Sequence, residues 1–306
     1  MSIQPLSFCC IGESLWDALP EGLFLGGAPL NVAVDLRALG QRVTLISAVG
    51  QDTLGLLVHK RLEERGLDTS WIHSSTLDTG WVEVSLEQGL PSYTIHESVA
   101  WDDLQTPEGG FPACDTLVHG SLALRSPTSA RTIQNAIDHT LSRGGKVVFD
   151  LNLRPPFDQP EIYKPFLKTC TMLKLNDDEL IVLQGVLGID VKAKGSLQKS
   201  LEVIAQAVGC TEILCTQGAQ GASVWKEGEF WQQDAETVHA VDTVGAGDAF
   251  LAGYLAAQAK GLSIRDALGF STKLAGYVAT QSGATPTLSD YKETLNAMSS
   301  TPTETR

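Results

Sequence analysis

An α/β fold with a mostly parallel central sheet covered by helices on both faces is predicted for this chain by three observations. Short apolar runs alternate with stretches of helical periodicity almost throughout, the runs are continuous rather than alternating, and the helical stretches end on glycine. Leu6 to Ile11, Val43 to Val49, Thr116 to His119, Lys146 to Leu151, Met172 to Leu175 and Glu212 to Cys215 read as strands. Their unbroken apolarity fits strands buried on both faces. Between them, Pro29 to Leu39 ends at Gly40, Thr53 to Arg65 at Gly66 and Thr128 to Arg143 at Gly144. Each glycine stands where a left-handed helix cap belongs. Strand–helix alternation punctuated in this way argues a parallel sheet between two helix layers.

Two regions break the pattern. Residues 16–25 and about 79–103 alternate like strands, with Trp81, Val82 and Val84 and then Tyr93 and Ile95, and have no helix between them. They are expected to form a small separate sheet, a lid over a site at the ends of the main strands. A further hairpin is expected from Ala222 to Trp225 and Glu229 to Gln232, turning at Lys226-Glu-Gly228. The polar end after Met298 reads as a frayed tail over 299–306.

The composition is that of a globular protein with ample core material: 306 residues, 43% hydrophobic and 19% charged. A net charge of −14 without a Lys/Arg cluster excludes nucleic acid and acidic membrane surfaces as partners. Six cysteines show neither Cys-x-x-Cys spacing nor a paired framework and are expected as buried free thiols. Six scattered histidines lack metal-ligand spacing. Neither a signal-like N-terminus nor a long apolar run occurs, so a reducing cytoplasm is the expected location.

The segment richest in chemistry is Asp242-Thr-Val-Gly-Ala-Gly-Asp248-Ala-Phe250. Gly245, Ala246 and Gly247 lack bulk, so backbone N–H groups can approach a ligand, and a small-apolar helix follows from Ala249 to Ala259. A glycine loop opening a helix offers N–H donors and the positive dipole end to an anion. Asp248 falls in the first turn of that helix, where the dipole keeps a carboxylate ionised and able to accept a proton. The same residues also read as a plain cap beside a turn. Phe250 breaks Gly-x-Gly-x-x-Gly, and no Gly-x-x-x-x-Gly-Lys-Ser/Thr exists, so dinucleotide-binding and P-loop readings lose their support.

Asp242 to Asp248 resembles the C-terminal signature of the ribokinase-like, or PfkB, carbohydrate kinase family. Gly26-Gly-Ala-Pro-Leu-Asn31-Val-Ala resembles that family's sugar-binding glycine pair and asparagine. In the family's order come also Gly12-Glu-Ser-Leu-Trp-Asp17, Phe149-Asp-Leu-Asn-Leu-Arg154-Pro-Pro, Leu173-Lys-Leu-Asn176-Asp-Asp-Glu179 and Thr216-Gln-Gly218-Ala-Gln-Gly221. The matches span about residues 8 to 290. The resemblance implies a single α/β kinase domain over 1–298, with a ribokinase-like sheet and the small β lid at 16–25 and 79–103.

It also implies roles. Asp248 is the catalytic base and Gly245, Ala246 and Gly247 form the anion hole. Asp17, Asn31 and Arg154 bind the sugar, which lies against Gly26 and Gly27. Lys174, Asn176, Thr216, Gly218 and Gly221 form the nucleotide side. Glu179 organises Mg²⁺ through water, and backbone carbonyls at Asp242, Val244 and Gly283 hold a K⁺-type ion. ATP and a small sugar are the implied partners, with a homodimer through the lid also known in the family. Blander readings stay open: Asp17 as a turn residue, Asn31 as a first-turn cap, Asn176 with Glu179 as a capping box, Lys174 and Arg154 as surface cations, and Thr216 to Gly221 as an ordinary strand–turn.

Gly12-Glu-x-Leu-Trp-Asp17-x-x-Pro20, Ala100-Trp-Asp102 and Asn152-Leu-Arg-Pro-Pro156 most resemble the fructokinase-like branch. The stretch 79–103 contains no Lys or Arg with which to hold a sugar phosphate. Fructose is therefore the expected substrate, with ribose, 2-keto-3-deoxygluconate, or a non-catalytic sugar-binding role as alternatives. Leu30 stands where fructokinases often have a small residue, and it is expected to narrow or shift the sugar pocket.

Overall fold

A computed structural model of the chain describes residues 6–19, 22–87, 90–189 and 196–300, with the backbone alone for 84–87, 90–93 and 300. In chain order β1 (Ser7–Ile11) precedes the hairpin β2 (Leu15–Leu19) and β3 (Gly22–Gly26), α1 (Ala28–Ala38), β4 (Arg42–Gly50), α2 (Thr53–Glu64) and β5 (Ile72–Ser75). The hairpin β6 (Gly80–Glu87) and β7 (Leu90–Ile95) leads to β8 (Thr116–Gly120), α3 (Pro127–Ser142), β9 (Lys146–Asp150) and α4 (Pro160–Leu167). Next come β10 (Met172–Asn176), α5 (Asp177–Val186), α6 (Leu197–Val208) and β11 (Glu212–Thr216). An antiparallel pair, β12 (Ala222–Lys226) and β13 (Glu229–Gln233), and the helices α7 (Ala246–Ala259), α8 (Ile264–Ala279) and α9 (Ser289–Ser300) follow.

Among the described residues the main sheet runs β13-β12-β11-β10-β9-β8-β1-β4-β5. It is parallel from β5 to β11 and antiparallel only at its β12–β13 edge. Strand side chains alternate between faces, and here both faces are buried. Phe8 and Cys10 of β1 enter one core with α1, α2, α7 and α8, whereas Cys9 and Ile11 enter the other with α3, α4, α5 and α6. That is why the strand runs are apolar at every position. Helices α1 and α7 pack against each other inside the first core, and both are buried nearly all round.

The second sheet has the order β3-β2-β6-β7, with β2 and β6 parallel and the two hairpins antiparallel. It takes up both regions that broke the pattern, but not to their ends: Ala100–Asp103 is a 3-10 turn, because Asp102 caps it through Val99 N–H. Strand β5 is short and half polar, and periodicity does not reveal it. Ser299 and Ser300 close α9, so the expected tail begins too early; residues 301–306 and Pro20 lie outside the described residues. The cysteines are free, and all but Cys114 are buried. No helix among the described residues is long and apolar enough to cross a membrane.

Candidate active site

The carboxyl ends of the parallel strands converge where the chain order reverses at β1, which is where ligands lodge in open α/β sheets. Glu13 lies just beyond β1, Asp150 ends β9, Lys174 and Asn176 lie on β10, and Thr216 ends β11.

Gly245 begins α7 in a left-handed conformation at φ 79°, and a side chain there would drive its Cβ to 2.5 Å from Ala284 Cα. Only glycine fits. No side chain caps this helix, and Ala246 N–H, expected as an anion donor, is taken by Thr243 O at 3.2 Å, so the first-turn N–H groups left with the positive dipole end are those of Gly247 and Asp248. Asp248, in that first turn, is 9% exposed and accepts a hydrogen bond from Asn31 Nδ2 at 2.8 Å on its Oδ2. The helix dipole does not leave it an ordinary carboxylate. Burial, with Asp150 adding to it, pushes Asp248 up to about 6, while Lys174, the Asn31 bond and Arg154 pull the other way. The group is still ionised at neutral pH.

Lys174 is not a surface cation. It is 5% exposed, and its Nζ bonds both oxygens of buried Asp150, at 2.8 and 3.0 Å. Burial disfavours its charge, but Asp150, Glu179 and Asp248 more than offset that and hold Lys174 above its usual value. A Cβ on Gly247 would lie 3.3 Å from this ammonium, so Lys174 lies directly against the glycine loop that opens α7. Glu179 is 5% exposed, and its two oxygens accept Leu153 N–H and Asn176 N–H, both at 2.8 Å. Asn176 Oδ1 accepts Glu179 N–H in return, so the capping box forms.

On the other side of Asp248, Asp17 sits in β2 opposite Phe24 and Val82. Burial, with help from Asp248 and against Arg154, pushes its carboxyl up to about 6. A Cβ on Gly26 would collide with Asp17 Oδ2, and one on Gly27 would lie 2.4 Å from Glu13 O. The glycine pair thus lets the backbone run directly against the Asp17 carboxylate and the Glu13 carbonyl. Since Gly27 brings no side chain to the start of α1, Glu13 supplies the cap: its Oε1 accepts Ala28 N–H at 3.2 Å. Burial pushes Glu13 up to about 7. Its Oε2, Ser14 Oγ and Asn31 Oδ1 are buried with no hydrogen-bond partner among the described residues. Arg154 is exposed on the loop after β9, yet its charge acts on Glu13, Asp17 and Asp248. Leu30 is fully buried in the first core, so its side chain fills that core and does not narrow the polar pocket as expected.

Thr216, Gly218 and Gly221 follow one another around the turn from β11 to β12, closed by a hydrogen bond from Gln217 N–H to Gly221 O at 2.8 Å. Asp242 ties its own segment to the chain beyond α8: its carboxylate accepts Val244 N–H at 2.9 Å and Gly283 N–H at 3.3 Å. Gly283 in turn touches the small sheet, since a Cβ there would meet the Phe24 ring at 2.7 Å. Trp101 and Asp102 belong to the joint below the small sheet. Asp102 holds Arg125 through two bonds of 2.8 Å, and Arg125 lies 3.8 Å over the Trp101 ring and donates to His96 O.

Sequence reasoning passes over Glu13 and Asp150, although both stand inside matched motifs. A carboxylate next to a glycine at a strand end was the available signal in Gly12-Glu13; Asp150 looks like a strand residue until Lys174 is seen beside it.

The chain is similar to a fructokinase from Vibrio alginolyticus, 30% identical over 93% of this chain and 96% of the relative. Among solved structures it is similar to a fructokinase with bound ATP from Xylella fastidiosa (TM-score 0.83, 24% identity, 95% of this chain and 98% of that one). It is similar also to a fructokinase double mutant from Vibrio cholerae O395 in its fructose, ADP and potassium ion bound form (TM-score 0.80, 24% identity, 97% and 99%). The model of the pfkB family carbohydrate kinases matches residues 22–290. With the ribokinase-like sheet, the glycine loop that opens α7 and the buried Asp248 in its first turn, the chain belongs to the pfkB family of carbohydrate kinases.

Proposed function

We propose that the chain transfers the γ-phosphoryl group of ATP to a hydroxyl of fructose, with Asp248 as the base. The observation that supports this best is the buried Asn31–Asp248 pair at the head of α7, beside three buried polar atoms without a hydrogen-bond partner among the described residues. Such atoms carry a desolvation cost unless something bonds them, and a polyol offers donors and acceptors in one molecule.

In this reading Asp17, Asn31 and Arg154 engage the sugar against Gly26 and Gly27. The sugar oxygen forms its bond to the γ-phosphorus, and the bond from that phosphorus to the bridging oxygen breaks. The electron pair leaves with ADP, and the hydroxyl proton passes to Asp248. N–H groups of Gly245, Gly247 and Asp248 stabilise the charge on the transferred oxygens. Lys174, Asn176, Thr216, Gly218 and Gly221 form the nucleotide side, with Lys174 against the loop at Gly247.

A divalent ion brought by ATP supplies charge neutralisation. The described residues contain no cluster of His, Cys, Asp or Glu suited to caging a metal. Their donor set fits Mg²⁺ carried by phosphates and water, with Glu179 reaching it through a water molecule. The bonds from Asp242 bring together the segments whose carbonyls would hold K⁺. The reading includes a homodimer through the small sheet, where Leu23 and Trp81 are exposed.

The names of the relatives, and fructose in one neighbour, favour fructose over other sugars. A coupled ADP-release assay with fructose, ribose, 2-keto-3-deoxygluconate and no sugar tests the proposal. Fructose is expected to give the highest kcat/KM. Absence of sugar-dependent ADP release with every sugar would contradict it.

A further inference from the structure

On a chain of net charge −14, an open pocket of about 490 Å³ is lined by Arg37, Arg65, Lys260 and Lys292 and, among the described residues, by no carboxylate. It lies at the far ends of the helices that build the candidate active site. Asn31 and Arg37 share α1, and α7 runs from Asp248 near its start to Lys260 at its C-cap, about 18 Å at 1.5 Å per residue.

Three of these cations have a helix end to complement: Arg37 in the last turn of α1, Arg65 at the C-cap of α2 and Lys260 at that of α7. Each end carries roughly half a negative charge, so the side chains leave a clear positive surplus. Lys292 crowds an end that Arg37 already serves: it lies across Gly40, just past the C-cap of α1, while standing near the start of α9, the end at which a dipole disfavours a cation.

Both arginines are fixed in place. Arg37 Nε donates to Gly66 O at 2.8 Å and Arg65 Nη1 to Thr285 O at 2.6 Å, which spends one N–H of each fork and orients the rest. Lys292 lies across Gly40, where a Cβ would stand 3.2 Å from its Cε. Anchored guanidinium forks flanked by ammonium groups match the oxygens and double charge of a phosphoryl group better than a single carboxylate.

We propose that this pocket binds a phosphoryl anion, either inorganic phosphate or the phosphate of a small phosphorylated metabolite, at a site separate from that of the transferred phosphoryl group. Titration calorimetry on the full chain at low ionic strength, with inorganic phosphate and with glucose 6-phosphate, tests it. The probes would be run against wild type, Arg37→Gln/Lys292→Gln, Lys260→Gln/Lys292→Gln, and the control Arg143→Gln/Lys146→Gln, which removes equal charge elsewhere. Phosphate held by the α7 loop is common to all four proteins. Both pocket variants are expected to weaken one phosphoryl site by about tenfold or more, and the control to leave it nearly unchanged. Tighter binding of glucose 6-phosphate would assign a metabolite, and tighter binding of inorganic phosphate the free ion. No such site in wild type, equal binding in all four proteins, or equal loss in pocket variants and control would overturn the proposal.

Discussion

Asn31 Nδ2 donates to Asp248 Oδ2 at 2.8 Å, joining residues 217 positions apart in the chain. The bond exists because α1 and α7 pack together in one core with their N-termini at the same end of the sheet. It both orients the carboxylate and favours its charged form, against burial and the neighbouring Asp150.

Removing that donor is expected to move the acid limb of the pH profile. A base must be deprotonated, so kcat/KM should fall as pH drops through about 6 in wild type, the value to which burial lifts Asp248. Asn31→Ala takes away a contribution that lowers the Asp248 value, and the limb should shift to higher pH. The pH dependence of kcat/KM in both proteins checks this. A limb that stays in place or moves down would show that the bond does not bias Asp248.

Asp17→Ala is expected to raise KM for the sugar and lower kcat/KM by about 3 kcal/mol, because a site built to bond hydroxyls is left with unpaired groups. KM for ATP should change little. Steady-state kinetics with each substrate varied in turn provides the check, and unchanged sugar kinetics would remove Asp17 from the pocket.

Asp35 is fully buried in α1, and neither carboxyl oxygen has a hydrogen-bond partner among the described residues. Burial, and after it Asp248, pushes this group well above the carboxylate range. A carboxyl raised on folding binds its proton more tightly in the native state, so it costs progressively more stability as pH rises above the unfolded value of about 4. Glu13, Asp17 and Asp248, lifted to about 7, 6 and 6, act with the same sign. Urea unfolding should therefore find the protein more stable at about pH 5.5, inside the window that runs from the unfolded value of about 4 to about 7, than at about pH 8, above it. Asp35→Ala should stabilise it by about 1–3 kcal/mol at the higher pH and by less at the lower. A variant that loses stability at pH 8 would show that Asp35 has a compensating partner.

Much of this was legible in the sequence, for physical reasons. A strand buried on both faces must be apolar throughout, so the runs around Cys9, Val148 and Leu214 gave away the parallel sheet. Helices must close their ends, so Gly40, Gly66 and Gly144 marked three of them within a residue or so. The loop at Gly245 was readable because only glycine tolerates that backbone beside Ala284. Pairings across long separations were not. Nothing local to Lys174 says that Asp150 waits beside it, and nothing local to Asp248 says how far burial will lift it. Leu30 misled for the same reason: a neighbour of site residues along a helix can still face the core. The polar strand β5 and the 3-10 turn at Trp101 escaped because their hydrogen bonds, not their apolar pattern, define them.

The most direct test of the account is kcat for Asp248→Asn, measured with saturating ATP and fructose. The change keeps the shape of the side chain and removes the proton acceptor. A fall of about 10²–10⁴ in kcat is expected, the usual range for a positioned base, with KM for ATP and for sugar little altered. A kcat within a few-fold of wild type would contradict the assignment, leaving Asp248 as part of the helix start and the base elsewhere.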